Sequence, residues 1–380
     1  MRRTIFEPVH EDFRTSVRTF LQREAVPHAE RWETAGMVDR EFWRKAGAAG
    51  FVGFAAPERH GGLDLHDFRF NAILDEEIEY AAVPGDNFAL ENDIVTPYLV
   101  ELANEEQQAR WLPSFVAGES VVAIAMSEPG AGSDLRAMQT TARRDGDTIV
   151  VNGSKTFVTS GIQADRVIVA ARSVPEGDRP VYDLLMIDAD TPGFERGRKL
   201  AKVGRRAQDT AELFFTDVRV PVANLLGEPG RGLASLMRNL PRERLSIAVS
   251  AVAACEHALQ LTVAYARDRH AFGRPIGSFQ ANRFALADLT TRVRAARQYV
   301  DACIAALDTG ALGDAEAAGV KALTSELQFE VLDRCVQLHG GYGYMDEYAI
   351  SRLWRDARVQ RIYGGTTEVM YEIVGRELGL

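Results

Sequence analysis

Between Leu245 and Val263 the chain is apolar nearly all round. A helix with no polar face cannot lie on a surface, so this segment demands partners on every side, from a bundle or a subunit interface. Two amphipathic patterns downstream can supply them. Leu286, Leu289, Val293, Ala296, Val300 and Ile304 step by three or four, as do Val320, Leu323, Leu327, Val331, Cys335 and Leu338, and the patterns stop at Gly310 and Gly340. The spacing predicts two long antiparallel helices beside a buried one.

The rest of the chain changes character twice. Residues 1 to 118 read as helices, with loop punctuation at Pro57 to Gly62 and Pro84-Gly85. From 119 to 231 the stretches Thr148 to Val151, Arg166 to Ala171, Val181 to Ile187 and Leu213 to Val220 are β-rich, with Asp145-Gly146 and Asn152-Gly153 as hairpin signals. Residues 232 to 380 are helical again. Helix, sheet and helix in that order predict an α+β chain of three domains, with no internal repeat.

Several function classes are excluded by composition. With 380 residues, 46% hydrophobic and 26% charged, the chain can bury a sizeable core and is too apolar for disorder. Against 44 basic residues stand 54 acidic ones, a net charge of −10, which argues against a nucleic-acid surface. No run of about 18 apolar residues is evident, so no membrane insertion is expected. The start carries two arginines but then Glu7, Glu11 and Asp12, unlike a signal peptide. Cys255, Cys303 and Cys335 fall in apolar helical patterns and cannot all pair, which suggests reduced thiols and a cytoplasmic protein. The seven histidines show no metal-ligand spacing, so no metal is expected.

The stretch Ala125-Met-Ser-Glu-Pro-Gly-Ala-Gly-Ser-Asp134 looks built to wrap a polar ligand. Glycines at 130 and 132 permit close backbone approach, and Ser127 and Ser133 offer hydroxyls. A dinucleotide-binding turn would need a third glycine after Gly132, and none is there. An ordinary surface turn remains the bland alternative until other motifs are counted.

Those motifs extend along almost the whole chain. Gln337-Leu-His-Gly-Gly-Tyr-Gly-Tyr344 is followed by Glu347, Arg352 and Asp356; Arg269-His-Ala-Phe-Gly273 is followed by Gln280; Lys155-Thr-Phe-Val-Thr159 lies in the β region. With the 125–134 loop, and in this order, they resemble the acyl-CoA dehydrogenase family, flavoenzymes that introduce a double bond next to a CoA thioester. The resemblance implies the family's fold: a helical domain, a β domain and a C-terminal four-helix bundle. It also implies FAD as cofactor, an acyl-CoA substrate in fatty acid oxidation, an electron-transfer flavoprotein as acceptor, and a homo-oligomer, dimer or tetramer, with the homotetramer favoured.

Roles follow residue by residue from that resemblance. Met126 and Ser127 align with the pair that contacts the isoalloxazine, Phe157 with its aromatic cover and Thr159 with the hydroxyl that reaches N5. Tryptophan is commoner at the position of Phe157; phenylalanine keeps the apolar cover without the indole N–H. Arg269, Phe272, Gln280, Gln337, Gly341, Thr366 and Glu368 look like FAD diphosphate and adenosine contacts shared across a subunit boundary. Ser133, Arg244, Tyr363, Gly364 and Gly365 fall on substrate positions.

The chemistry needs one carboxylate held dry, because desolvation raises its pKa towards the operating pH. Much of the family carries it before a Gly-Thr pair, where this chain has Gly364 in Ile362-Tyr-Gly-Gly-Thr366. In a long-chain and isovaleryl-type subset it sits instead at the start of the buried helix. Pro241-Arg-Glu-Arg-Leu245 places Glu243 there, against the plain reading of a first-turn helix acid. A glycine at 364 keeps the backbone N–H for the thioester carbonyl and opens space for branched acyl groups. Phe88-Ala-Leu-Glu-Asn-Asp-Ile-Val95 is expected to border the acyl tunnel, where Glu91 is unexpectedly acidic. The substrate expectation is a medium-to-long or branched acyl-CoA. An acyl-CoA oxidase is the near alternative and a flavin-free helical assembly protein the distant one; a yellow protein with one FAD per chain separates the latter.

Overall fold

The computed structural model describes residues 3–84, 88–173 and 181–380; Gly85 of the expected Pro84-Gly85 turn lies outside them. Six helices come first: α1 (Pro8–Glu24), α2 (Ala29–Ala35), α3 (Arg40–Ala48), α4 (Phe68–Ala81), α5 (Thr96–Glu101) and α6 (Glu105–Val116). Their starts are capped locally. Asp67 accepts from the Arg69 N–H at the head of α4, and Asn104 and Gln107 form a reciprocal box at α6. Trp32, Phe42, Trp43 and Phe88 meet edge to face inside this layer. Directly before α5 the chain makes one π-helical turn, Leu90–Val95.

A sheet of eight strands comes next: β1 (Val122–Ala125), β2 (Thr141–Asp145), β3 (Thr148–Thr159), β4 (Arg166–Ser173), β5 (Val181–Asp188), β6 (Phe194–Lys199), β7 (Thr210–Pro221) and β8 (Leu225–Leu226). Its order is β6-β7-β3-β2-β4-β5-β8, with β1 parallel along β4. The expected hairpin at Asp145-Gly146 forms: Asp145 pairs with Thr148 and Gly146 takes φ +62°. The second hairpin signal does not turn the chain. Asn152-Gly153 lies inside β3 as a bulge, where Asn152 exchanges hydrogen bonds with Asp217 at 3.0 and 2.8 Å. Glycine is needed there because φ is +147° and a Cβ would come within 2.6 Å of the Thr140 hydroxyl.

The C-terminal part opens with α7 (Gly232–Asp268), a single helix of 37 residues. After a two-stranded arm, β9 (His270–Ala271) and β10 (Arg274–Pro275), come α8 (Gln280–Asp308), α9 (Asp314–His339), α10 (Ala349–Ala357) and α11 (Thr367–Glu377). Helix α7 packs on α4, α8 and α9, so its all-round apolar stretch is enclosed from Leu245 to Leu259 and opens at Gln260. Truncating one such side chain to alanine costs about 2 to 5 kcal/mol. Two expectations need correction. Leu323, read as part of the inward stripe of α9, is 47% exposed, because α9 meets α7 along a neighbouring face. Helix α7 is also more apolar than expected: an 18-residue window averages a hydropathy of 1.5, enough by length and composition to cross a bilayer, yet 67% of that window is buried by its neighbours.

Candidate active site

Glu243 is the twelfth residue of α7, well past the first turn, and two residues beyond Pro241, which lies inside the helix. The helix-start position expected from sequence is therefore wrong, and with it goes the reading of Glu243 as a first-turn acid that favours the helix dipole. The side chain is buried, and the Tyr98 hydroxyl of α5 donates to its Oε1 at 3.3 Å. Burial pushes the Glu243 carboxyl up to about 7, while Tyr98 and the neighbouring Arg244 pull it down. Such a group is a carboxylate half the time near neutrality, poised to take a proton.

Arg244 turns the other way and reaches the Gly364 carbonyl, with Nε 3.5 Å from the oxygen. Lys321 of α9, fully buried, donates to the next carbonyl, that of Gly365, at 2.6 Å; burial lowers its ammonium to about 8. Two cations thus hold two successive carbonyls of the Tyr363–Gly365 turn. Gly364 sits at φ +64° and Gly365 at φ +98°, a left-handed pair that only glycine adopts readily. The space expected beside Gly364 is not open. A Cβ there would come 2.4 Å from Cδ1 of Ile247, one turn beyond Glu243 on α7.

The π turn lies between β1 and α7 and touches both. Ser246, three residues beyond Glu243, donates to Asp75 of α4 at 3.0 Å and also meets Asp93 of the π turn. Burial holds the Asp93 carboxyl above its usual range. Glu91, on the same turn, is buried with Oε2 unbonded, and burial raises its carboxyl well above the ordinary value. Burial thus favours its neutral form, which is how an acid is tolerated in apolar surroundings.

The 125–134 loop leaves β1 and is tied to β3. Lys155 places its ammonium 2.9 Å from the Met126 carbonyl and 2.8 Å from Glu128 Oε1, and the Thr156 N–H donates to the Ser127 carbonyl at 2.9 Å. Glu128 also accepts the N–H groups of Gln139 and Thr140 at 2.6 and 2.9 Å. Beyond this anchor the loop is exposed at Ser133, and a Cβ on Gly130 or Gly132 would meet nothing within 4 Å. Nothing in the chain itself demands glycine at either position.

Phe157 stands at the second bulge of β3, with φ +58° and 71% of its surface exposed. A left-handed, exposed phenylalanine costs strain and hydration together, a combination that marks functional surfaces. Thr159, two residues on, is half-buried and pairs with Thr210 of β7.

Arg269 caps α7, and its guanidinium lies 5.5 Å from the centre of the Tyr342 ring, joining the β9–β10 arm to the segment that holds Gln337 and Gly341. Phe272 at the tip of the arm is 96% exposed and also left-handed, at φ +53°. Gln280 opens α8, and Gln337 and Gly341 are exposed. Thr366 caps α11 through the Val369 N–H at 3.3 Å, with Glu368 in the first turn. Among the described residues no hydrogen bond or ring contact joins Arg269, Phe272 or Gln280 to Ser127, Phe157 or Thr159. The expected cofactor residues form separate groups within one chain: one on the sheet and the 125–134 loop, one on the β9–β10 arm with the start of α8 and the end of α9, and one at the start of α11.

Five residues around the candidate site were given no role by sequence reading. Tyr98, Ile247, Lys321 and the Lys155–Glu128 pair each act on a residue far away in the chain, so their roles are set by tertiary contacts alone. The one local signal was a lysine and a glutamate among apolar strand and loop residues.

Family models match almost the whole chain. The acyl-CoA dehydrogenase N-terminal domain matches residues 7–119, the middle domain residues 123–218 and the C-terminal domain residues 230–379. The long-chain specific acyl-CoA dehydrogenase, mitochondrial, of Sus scrofa is 47% identical over 99% of this chain and 88% of its own length. The crystal structure of acyl-CoA dehydrogenase from Geobacillus kaustophilus superposes with a TM-score of 0.95 at 45% identity, covering 99% of both chains. That of an acyl-CoA dehydrogenase complexed with FAD from Bacillus anthracis gives 0.90 at 29% identity, over 100% of this chain and 69% of that one.

Proposed function

Because this chain belongs to the acyl-CoA dehydrogenase family, we propose that Glu243 is the base that takes the α proton of the bound acyl-CoA. The enzyme is an oxidoreductase acting on the CH–CH bond next to the thioester. One observation carries the assignment: Glu243 is buried on α7 with its carboxyl raised to about 7, and the family's other base position holds Gly364.

Residues of the chain divide the work. Glu243 accepts the α proton at its carboxylate. The Gly364 N–H, to which no group among the described residues is hydrogen-bonded, is available to the thioester carbonyl, and donation there stabilises the developing enolate. Arg244 and Lys321 fix that turn through its carbonyls. Ser133 and Tyr363 belong to the acyl-CoA contacts, and Ile247 closes the side of the site next to Gly364.

The residues present fit FAD. Phe157 offers an exposed ring beside the hydroxyls of Ser127 and Thr159 and the backbone of Met126, while Arg269, Gln280 and Gln337 supply a cation and two amides suited to a diphosphate and an adenosine. Bound FAD supplies the acceptor for the hydride leaving the β carbon. The outward arm bearing Arg269 and Phe272 supports a cofactor site completed by a second copy, hence a homo-oligomer, a dimer or a tetramer, with Gly341, Thr366 and Glu368 on the same shared boundary. An electron-transfer flavoprotein as acceptor, a long or branched acyl chain and a cytoplasmic location complete the reading; three buried, free cysteines support the last.

The test is Glu243→Gln assayed with a panel of acyl-CoAs and an artificial electron acceptor. The variant should retain FAD and lose turnover; wild-type turnover would refute the assignment.

A further inference from the structure

We infer that Tyr98 is a positioning residue for Glu243: its hydroxyl fixes Oε1 of the base and sets the pH above which the base is available. The inference rests on Glu243 being the base. Tyr98 and Glu243 are 145 residues apart in sequence, both are closed to solvent, and the 3.3 Å hydrogen bond between them joins α5 to α7.

The segment that delivers Tyr98 is unusually well held. It comes directly after the π turn, and a π turn puts an extra residue into a helix and re-aims the residues beyond it, often at functional sites. Asn92 on that turn accepts the Gly53 N–H at 2.8 Å and donates to the Phe51 carbonyl at 3.0 Å. Asp93 meets Ser246 of α7, and the Thr96 hydroxyl donates back to the Glu91 carbonyl at 2.6 Å. Three anchors therefore fix the ring that touches the base.

Other charged groups on α7 and on the elements packed against it have partners of their own. Asp75 of α4 and Asp93 share the Ser246 hydroxyl; Lys321 of α9 holds the Gly365 carbonyl. Arg297 of α8 pairs with Glu76 and Glu256; Asp183 of β5 accepts the Gly230 N–H; Arg352 of α10 donates to the Ala82 carbonyl. Arg242 of α7 stacks on Phe68, and Glu101, on Tyr98's own helix, pairs with Arg238. Tyr98 and Arg244 are the groups that act on the Glu243 carboxyl, both favouring its charged form. Burial and Glu243 itself raise the Tyr98 phenol well above its usual range, so it remains a donor throughout the working pH.

The experiment compares wild type, Tyr98→Phe and Glu243→Gln, each loaded with FAD. Phenylalanine keeps the ring and removes only the donor. The acid limb of the kcat/KM profile of Tyr98→Phe should move up by about one pH unit, giving about tenfold lower turnover at pH 6 and approaching the wild-type rate by pH 9. The infrared carbonyl band of protonated Glu243, identified by its loss in Glu243→Gln, should titrate higher by the same amount, a readout that survives any loss of turnover. An unmoved limb and band, or a loss of rate equal at all pH values, would overturn the role of Tyr98 while Glu243 stands. Full turnover in Glu243→Gln would remove the base and the inference with it.

Discussion

Lys155 and Glu128 form an ion pair at 2.8 Å with both side chains closed to solvent, and the same ammonium holds the Met126 carbonyl. Burial lowers the Lys155 pKa and Glu128 opposes the shift; Glu128 lies below its usual range because Lys155 and two backbone N–H groups outweigh its own burial. Removing one partner leaves the other charge buried and unpaired. Lys155→Met should lower stability by about 3 kcal/mol in denaturant unfolding and release the loop, with FAD content falling in the same preparation. Lys155→Met with Glu128→Leu should recover part of the stability and none of the loop order.

Glu243 is held in the fold at a cost that depends on pH. Its folded pKa is raised, to about 7, so its favourable neutral state is fully present below the unfolded value of about 4.5 and is lost as pH rises through 7. Glu243→Gln should therefore be more stable than wild type at pH 8, by up to about 3 kcal/mol, with no difference near pH 4.5. Turnover should fall by about two to four orders of magnitude. Melting temperatures of both proteins across this range check the first claim, and equal melting curves at pH 8 would contradict it.

Glu91 gives a parallel case without the chemistry. Its buried carboxyl is raised well above the ordinary range, so its stabilising neutral form is lost only as pH climbs through that raised value. Glu91→Leu should raise the melting temperature more at pH 9 than at pH 6. If the side chain borders the acyl tunnel, the same variant lowers KM for long acyl-CoAs.

Moving the base to position 364 should fail unless Ile247 gives way. Glu243→Gly with Gly364→Glu places a side chain where Ile247 Cδ1 already lies, 2.4 Å from the new Cβ, at a backbone φ of +64° that disfavours it by about 1 to 2 kcal/mol. Adding Ile247→Ala should restore measurable turnover. Activity in the double variant equal to that of the triple would show that Ile247 swings aside freely.

Arg269→Ala should weaken flavin retention and the oligomer together, since the arginine ends the arm-bearing helix and rests on Tyr342. Gel filtration and flavin absorbance on one sample decide it: a monomer with full FAD would refute the coupling.

Periodicity and motif made the helices and the sheet region legible in the sequence and pointed to Glu243, while long-range contacts stayed hidden. The apolar stretch from Leu245 to Val263 announced a buried helix, and the structure encloses it as far as Leu259. Asn152-Gly153 misled because a bulge and a hairpin ask for the same residues; only pairing with β7 tells them apart. Glu243 was singled out by its motif, but its place as the twelfth residue of α7 was hidden, because Pro241 suggested a helix start where the helix continues. Tyr98 carried no local sign, since a tyrosine in an apolar helix reads as core until its hydroxyl finds Glu243.

Helix α7 behaves as a ruler. It carries Glu243 a third of the way along and delivers Arg269 at its C-terminal end, without interruption. At a rise of about 1.5 Å per residue the two lie about 39 Å apart, and at about 100° per residue their angular relation is equally fixed. Inserting one residue after Leu259 would leave Glu243 in place yet swing the arm by more than a quarter turn. Sequence drift can retune either end of this rod by substitution; its length is not free to change.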